Sequence, residues 1–251
     1  MKLRASRFSF VPCLFLACIS HAQIFTDDFN AGPSPQWSNE RGNWTAIDGR
    51  YDSLAPSNNP TTRSLLPYIL GDLSFEVDVI GLVDGGIWVR TDPDSDSGVL
   101  LVTGGFLGMG RGLYWHIVQH GTYSAALGRI DGLFTANQNV RIRVVVRGDL
   151  YTAYVNGSCT PATSITTDLF SSGRVGLYDF SAQQSFDNVV LDLPPPIIAD
   201  FNQDGGVDGA DVQAFFAAWE NGDSASDVNQ DGGVDGADVE TFFFAWENGC
   251  A

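Results

Sequence analysis

The chain has 251 residues, 13 basic and 30 acidic, for a formal net charge of −17. That balance excludes the usual nucleic-acid binder, which needs a patch of phosphate-neutralising cations. The length allows one sizeable core and a small additional module.

Residues 1–22 read as a secretory signal. Lys2, Arg4 and Arg7 form a basic start, residues 8–19 are apolar but too short to span a bilayer, and Ser20-His21-Ala22 fits a small-x-small cleavage site. A membrane anchor and a lipoprotein at Cys18 are the competing readings; Phe15 stands where a lipobox carries Leu. Cleavage would leave no membrane span and no lysine, so Schiff-base chemistry is excluded. It would also remove Cys13 and Cys18 and leave Cys159 and Cys250. These two either pair, clamping the tail to the main domain, or stay as thiols; their spacing does not decide.

Residues 23–193 are a succession of short runs with period-two alternation. The odd positions of 73–80 and the even positions of 140–147 are apolar. Gly148-Asp149 and Asn156-Gly157 are hairpin turns. Further strands are expected at 86–90, 99–103, 113–119, 123–130, 150–155, 173–178 and 185–193. No long amphipathic helix interrupts them, so this part predicts a mainly β, two-sheet sandwich.

Asp28-Phe29, residues 42–50 (Gly42-Asn43-Trp44 through Gly49-Arg50), Phe75-Glu76-Val77, Gly85-Gly86-Ile87-Trp88-Val89-Arg90, Gly176-Leu177-Tyr178 and Phe186-Asp187-Asn188-Val189 follow one another as in concanavalin A-like jelly rolls. The segment resembles the laminin G-like group, especially the 3-keto-disaccharide hydrolase-like domains. That family mixes glycan binders, hydrolases and unassigned members, so the fold alone does not fix an activity.

Three sets of side chains are candidates here. Glu76 and Asp78, at i and i+2, share one face of a strand and resemble part of the Glu-x-Asp-x-x-Glu strand of jelly-roll endoglucanases, with the third acid missing. They are either a catalytic pair or an outward polar face. If Ile87 and Val89 point inward, Trp88 and Arg90 share the other face, and Tyr114 and His116 do the same on a later strand. Such aromatic and polar groups stack on and hydrogen-bond sugars, or else the aromatics cover the core. Asp27, Asp28 and Asp187 sit where such folds tie first and last strands with calcium, which makes them a candidate second calcium site. No G-x-S-x-G, H-E-x-x-H or C-x-x-C pattern occurs.

Pro194-Pro195-Pro196 opens a stiff linker over 194–199. Residues 200–251 then repeat one unit with an offset of 27 residues, over 200–222 and 227–249. Each copy places Asp, Asn, Asp, Asp and Asp at positions 1, 3, 5, 9 and 12, glycine at 6 and a backbone carbonyl at 7. This is the pattern of a calcium loop, because short oxygen side chains at alternate positions aim at one hard cation. Each loop leads into a helix with an apolar stripe, Val212, Phe215, Phe216 and Trp219, then Val239, Phe242, Phe243 and Trp246. The entering helix of an EF-hand is missing from both.

Loop plus exiting helix, twice, resembles a type I dockerin, the module that docks enzymes onto cohesins. The resemblance implies two Ca²⁺ ions held by Asp200, Asn202, Asp204, Gly206, Asp208 and Asp211, and by Asp227, Asn229, Asp231, Gly233, Asp235 and Asp238. Gly209-Ala210 and Gly236-Ala237 stand where dockerins that bind cohesin often carry Ser or Thr, so calcium is the firmer implication.

The chain therefore reads as a secreted, carbohydrate-associated protein. A concanavalin A-like jelly roll recognises a glycan, and a small α-helical, EF-hand-like calcium module attaches it to a cohesin-like or cell-surface scaffold. Its alternatives are a glycoside hydrolase of the keto-disaccharide type with the same tail, and a structural extracellular protein. The tail carries nine Asp, three Glu and no basic residue, so metal binding contributes folding free energy. Circular dichroism in chelator should show less helix than in millimolar Ca²⁺; an unchanged helical signal rejects this.

Overall fold

The computed structural model describes residues 23–57, 61–105, 111–135, 137–158, 160–181, 184–194, 198–203 and 207–248. The signal segment, Asp204, Gly206, Cys159 and Cys250 lie outside them. The first strands are β1 (Phe25–Asp27), β2 (Trp44–Ile47), β3 (Arg50–Ser53) and β4 (Thr62–Leu65). Next come β5 (Leu73–Ile80), β6 (Gly85–Asp92), β7 (Ser97–Gly104), β8 (Gly112–Gln119), β9 (Thr122–Tyr123) and β10 (Leu127–Ile130). The last are β11 (Val140–Arg147), β12 (Leu150–Val155), β13 (Thr163–Thr166), β14 (Arg174–Asp179) and β15 (Ser185–Asp192). Helices α1 (Gly209–Glu220) and α2 (Gly236–Asn248) follow.

The strands form two antiparallel sheets. One has eight strands in the order β13-β12-β11-β5-β15-β3-β2, with β1 also on β15; the other has seven, β10-β8-β7-β6-β14-β4, with β9 on β8. Alternation decides what each strand contributes to the shared core. Leu73, Phe75, Val77 and Val79 of β5 are fully buried there with Ile142, Val144 and Val146 of β11. Ile87, Val99, Leu101, Trp115, Val175 and Leu177 face them from the seven-stranded sheet.

The seven-stranded sheet buries its other face too. Leu65, Trp88, Leu100, Val102, Tyr114, Val118 and Tyr178 make a second, smaller cluster on the side away from the core. Covering groups come from the sheet rim. The Arg63 guanidinium lies 5.9 Å from the Trp88 ring centre and is held by Asp96 at 2.6 Å and by the Pro93 carbonyl at 3.1 Å.

Two expectations change here. The run 123–130 is not one strand. Ser124 takes both the N–H and the C=O of Ile117, which ends β9 and leaves β10 to restart at Leu127. Strands β1 to β4 and β13 were not anticipated: each is three or four residues long, too short to show an alternation of its own.

In the tail, Phe215 and Phe242 stack with ring centres 4.2 Å apart and planes 2° from parallel, flanked by Phe201. The Trp219 indole donates to the Asp235 carbonyl (2.8 Å) and the Trp246 indole to the Asp208 carbonyl (3.2 Å). Each helix thus secures the loop of the other repeat, an approximate two-fold relation.

Phe242 is fully buried and Phe244 is 72 % exposed on the same helix. Phe242→Ala should cost about 3–5 kcal/mol and abolish the tail's helical signal, and Phe244→Ala should stay within about 0.5 kcal/mol, read by urea unfolding followed at 222 nm.

Candidate functional site

The second acidic loop, from Asp227 to Asp238, is described throughout. Asp227 accepts N–H bonds from Asp231 (3.1 Å) and Gly232 (3.0 Å), Asn229 Oδ1 from Asp231 (2.9 Å) and Asp231 Oδ1 from Gly233 (2.9 Å). Asp238, fully buried, accepts from Asn229 (3.2 Å) and Asp235 (2.8 Å) and so ties positions 3 and 9 of its loop together. The first loop does the same: Asp211, also fully buried, accepts from Asn202 (3.1 Å) and Asp208 (2.8 Å). Asp208 in turn caps α1 through the Ala210 N–H (2.7 Å), completing a capping box with Asp211. At position 4, Gln203 and Gln230 both adopt positive φ, 60° and 58°. The described parts of the two loops therefore share the same hydrogen bonds and the same turn at position 4.

The donor set fits a hard cation. Every side chain offered is a carboxylate or a short amide, two of the carboxylates are wholly buried, and no basic side chain occurs in residues 200–251 to balance them. Among the described residues no three His, Cys, Asp or Glu side chains are drawn into one tight cluster; the loop carboxylates are turned onto the loop amides.

In the sandwich, the structure separates Trp88 from Arg90. Arg90 has φ of 46° at a bulge, where the β6–β7 register shifts between Val89 and Asp92. The bulge swings its side chain away from Trp88 and towards the eight-stranded sheet. There it donates to the Gly71 carbonyl (2.8 Å), the Phe170 carbonyl (2.7 Å) and the Tyr151 hydroxyl (3.1 Å) and lies over the Tyr151 ring at 5.2 Å. A Cβ at Gly173 would collide with the Arg90 backbone, so that approach requires glycine. Arg90 is 2 % exposed, and Trp88 is fully buried under Arg63: neither offers an open sugar-binding surface.

Tyr114 and His116 do share the outer face of β8, and Tyr123 extends the row. His116 sits edge-on between Tyr114 (5.3 Å) and Tyr123 (5.6 Å). Its Nδ1 lies 2.8 Å from the Ser124 carbonyl, which requires a proton on that nitrogen and leaves Nε2 as the acceptor of the neutral ring. Burial lowers its pKa and favours that neutral form. Tyr114 is nearly buried and Tyr123 is 37 % exposed, hydrogen-bonded to Thr61. The accessible aromatic edge of this face is therefore Tyr123 and His116, and Tyr123 had no signal of its own in the sequence.

Glu76 and Asp78 share a face, as alternation requires, but one arginine spans them. Arg141 on the neighbouring strand reaches Glu76 and Asp78 at 2.9 Å each, and the Asn188 amide holds the second Asp78 oxygen at 2.8 Å. Both carboxylates are thus engaged by one guanidinium instead of standing open on either side of a sugar-sized gap. Asp27, Asp28 and Asp187 do not converge either. Asp27 is engaged by the Phe29 and Ser34 N–H groups (3.0 and 2.8 Å) and the Trp37 indole (2.9 Å), while Asp28 and Asp187 accept from their neighbours Asn30 and Asn188. β1 and β15 are joined by antiparallel backbone pairing.

No family model matches the chain, and no curated protein matches it. Solved structures do. The carbohydrate-binding module CBM66 from Bacillus subtilis matches at TM-score 0.54 and 18 % identity, over 62 % of this chain and 95 % of that one. A structure described with the endo-acting O-glycanases by which members of the human gut microbiota initiate mucin breakdown matches at 0.51 and 12 %, over 69 % and 100 %. A Bacillus subtilis protein of unknown function with a galectin-like fold matches at 0.50 and 11 %, over 68 % and 96 %. At these identities the likeness establishes the fold, a galectin-like jelly roll. Among the described residues no helix is long and apolar enough to cross a membrane.

Sequence reading also passed over Asp52, Asp84 and Asp179. Asp179 ends β14 fully buried, with Oδ1 accepting from the Ser181 N–H (3.0 Å) and Oδ2 without a partner. Burial, with Asp52 and Asp84 nearby, pushes it up to about 8; burial alone takes Asp84 to about 6, and burial chiefly does the same for Asp52. A carboxyl with a raised folded pKa favours folding at low pH and loses that advantage as pH climbs from about 4 to about 8. Asp179→Asn should therefore match the wild type near about pH 3 and melt higher than it at about pH 9, compared by differential scanning calorimetry.

Proposed function

We propose that the sandwich binds carbohydrate and that the tail is a calcium-dependent docking module of the dockerin kind, in a secreted component of polysaccharide breakdown. The observation that carries this reading is the twice-built acidic loop joined by reciprocal tryptophan bonds, in the same chain as a galectin-like sandwich. Two of the fold neighbours are named for carbohydrate, one as a binding module and one for O-glycanases.

On the sandwich, the Tyr123–His116 edge supplies what a sugar needs: an aromatic surface for C–H stacking beside a neutral imidazole acceptor. In the tail, one ion would be held by Asp200, Asn202, Asp204, the Gly206 carbonyl, Asp208 and Asp211. The other would be held by Asp227, Asn229, Asp231, the Gly233 carbonyl, Asp235 and Asp238. Bound calcium neutralises part of the loop charge and lends the helices its binding free energy. The partner is a cohesin-like or cell-surface scaffold protein. The exposed Phe244 of α2, where α1 carries Ala217, gives that partner an apolar anchor on one helix only.

A glycan array and a pull-down from the extracellular fraction, each run in Ca²⁺ and then in chelator, test both halves. The expected outcome is glycan retention that survives chelation and falls at least about tenfold in Tyr123→Ala. Partner capture should be lost in chelator. A wild-type protein that retains no glycan removes the first half, and capture indifferent to Ca²⁺ removes the second.

A further inference from the structure

The outer face of the seven-stranded sheet carries aromatic rings and is closed from both flanks. One register row runs through Leu65, Gly176, Trp88, Leu100 and His116, from β4 to β8. The next runs through Arg63, Tyr178, Gly86, Val102 and Tyr114. Trp88 and Tyr178 thus lie within the face, with β4 at one flank and β8, which carries β9, towards the other. Yet the flanks meet. The Tyr123 hydroxyl of β9 and the Thr61 hydroxyl, just before β4, are hydrogen-bonded to each other. One side-chain bond therefore joins the two rims across the face.

Two donors in this cluster have no acceptor. Trp88 is fully buried and its indole N–H is unpartnered. Arg63 is 1 % exposed, and its Nε–H is unpartnered although Asp96 and the Pro93 carbonyl hold the ends of the guanidinium. The guanidinium lies over the Trp88 ring, so both N–H groups belong to one small cluster. A buried donor without an acceptor is a cost that an incoming oxygen removes. The closing element is slight. β9 is two exposed residues on a two-residue turn, His120-Gly121, whose φ angles are both positive (49° and 72°). The foot of that turn is fixed, because the Gly121 N–H donates to the Asp96 carbonyl (2.9 Å) and the Asp96 carboxylate holds Arg41 and Arg63. Tyr123 is thus a ring on a short, weakly held arm with an anchored base.

We propose that the Tyr123–Thr61 bond is a latch over a closed sugar groove, and that an uncharged saccharide reaching the Tyr123–His116 edge opens it and takes the Trp88 and Arg63 donors. The released Tyr123 ring stacks on the sugar, and sugar hydroxyl oxygens accept from the Trp88 indole and the Arg63 Nε–H. An uncharged sugar suits the groove because Arg63 already has Asp96 as its counter-ion, and an anion would have to compete with that carboxylate. The closed form hides the stacking surface, so the observed affinity is the intrinsic one reduced by the fraction of molecules that stand open.

The inference rests on the carbohydrate reading of the Tyr123–His116 edge. Two measurements on the full chain test it. Acrylamide quenching of tryptophan fluorescence, with Trp88→Phe identifying the share of Trp88, should rise in Thr61→Val, which removes the latch and keeps the Tyr123 ring. Titration with soluble cello-, xylo- and galacto-oligosaccharides should show Thr61→Val and Tyr123→Phe binding about two- to tenfold tighter than the wild type, the net worth of one hydrogen bond. Trp88→Phe, which keeps a ring and loses the N–H, should bind at least about threefold more weakly. Thr61→Val that is quenched and binds as the wild type does, or Trp88→Phe with unchanged affinity, overturns the proposal while the carbohydrate reading stands. If neither the wild type nor Thr61→Val binds any of these sugars, both fall.

Discussion

A strand in a sandwich has two faces, and the shared core can take only one of them. Every other feature of this chain follows from how the second face is handled. The seven-stranded sheet covers its outer side with a second apolar cluster under the Arg63–Asp96 pair. The eight-stranded sheet leaves its outer side charged and balances it locally, with Arg141 between Glu76 and Asp78 and Arg143 over Tyr154. Arg147, further along the same strand, lines the cleft that the sheet shares with the acidic tail. Among the described residues neither sheet presents a flat apolar outer surface.

The tail is too small to be stable by apolar burial alone. Its core is little more than Phe201, Phe215 and Phe242, with the tryptophans used as hydrogen-bond donors at the edges. The buried Asp211 and Asp238 carry a desolvation cost that loop amides offset in part. Under the proposed reading, a Ca²⁺ ion there would supply the missing positive charge and add its binding free energy to folding. Because each tryptophan bonds to the other repeat's loop, order in one loop favours order in the next.

Much of this was legible in the residues. Alternation in 73–80 and 140–147 identified the two central strands and which side of each is buried, and the duplicated loop spacing located both helices. The short rim strands were not legible, because three or four residues carry no period. The fate of Arg90 was hidden for a different reason. Alternation put it beside Trp88, and a bulge, whose cause lies in the pairing with β7 rather than in the local sequence, moved it to the other side. The arginine that spans Glu76 and Asp78 comes from 63 residues further along the chain, and no local pattern announces such a partner.

By itself the sequence determined the composition of each layer: which strands are amphipathic and that the tail repeats one unit twice. These are properties of neighbouring residues, fixed by period and spacing. Only the tertiary structure decided which charges meet. Asp179 is raised by burial at a strand end and by carboxyls from distant segments, Trp88 is covered by a guanidinium from β4, and Asp200 is set opposite Arg147 by the packing of the tail on the sheet. Electrostatic energy depends on separation and burial in space, and neither can be read from distance along the chain.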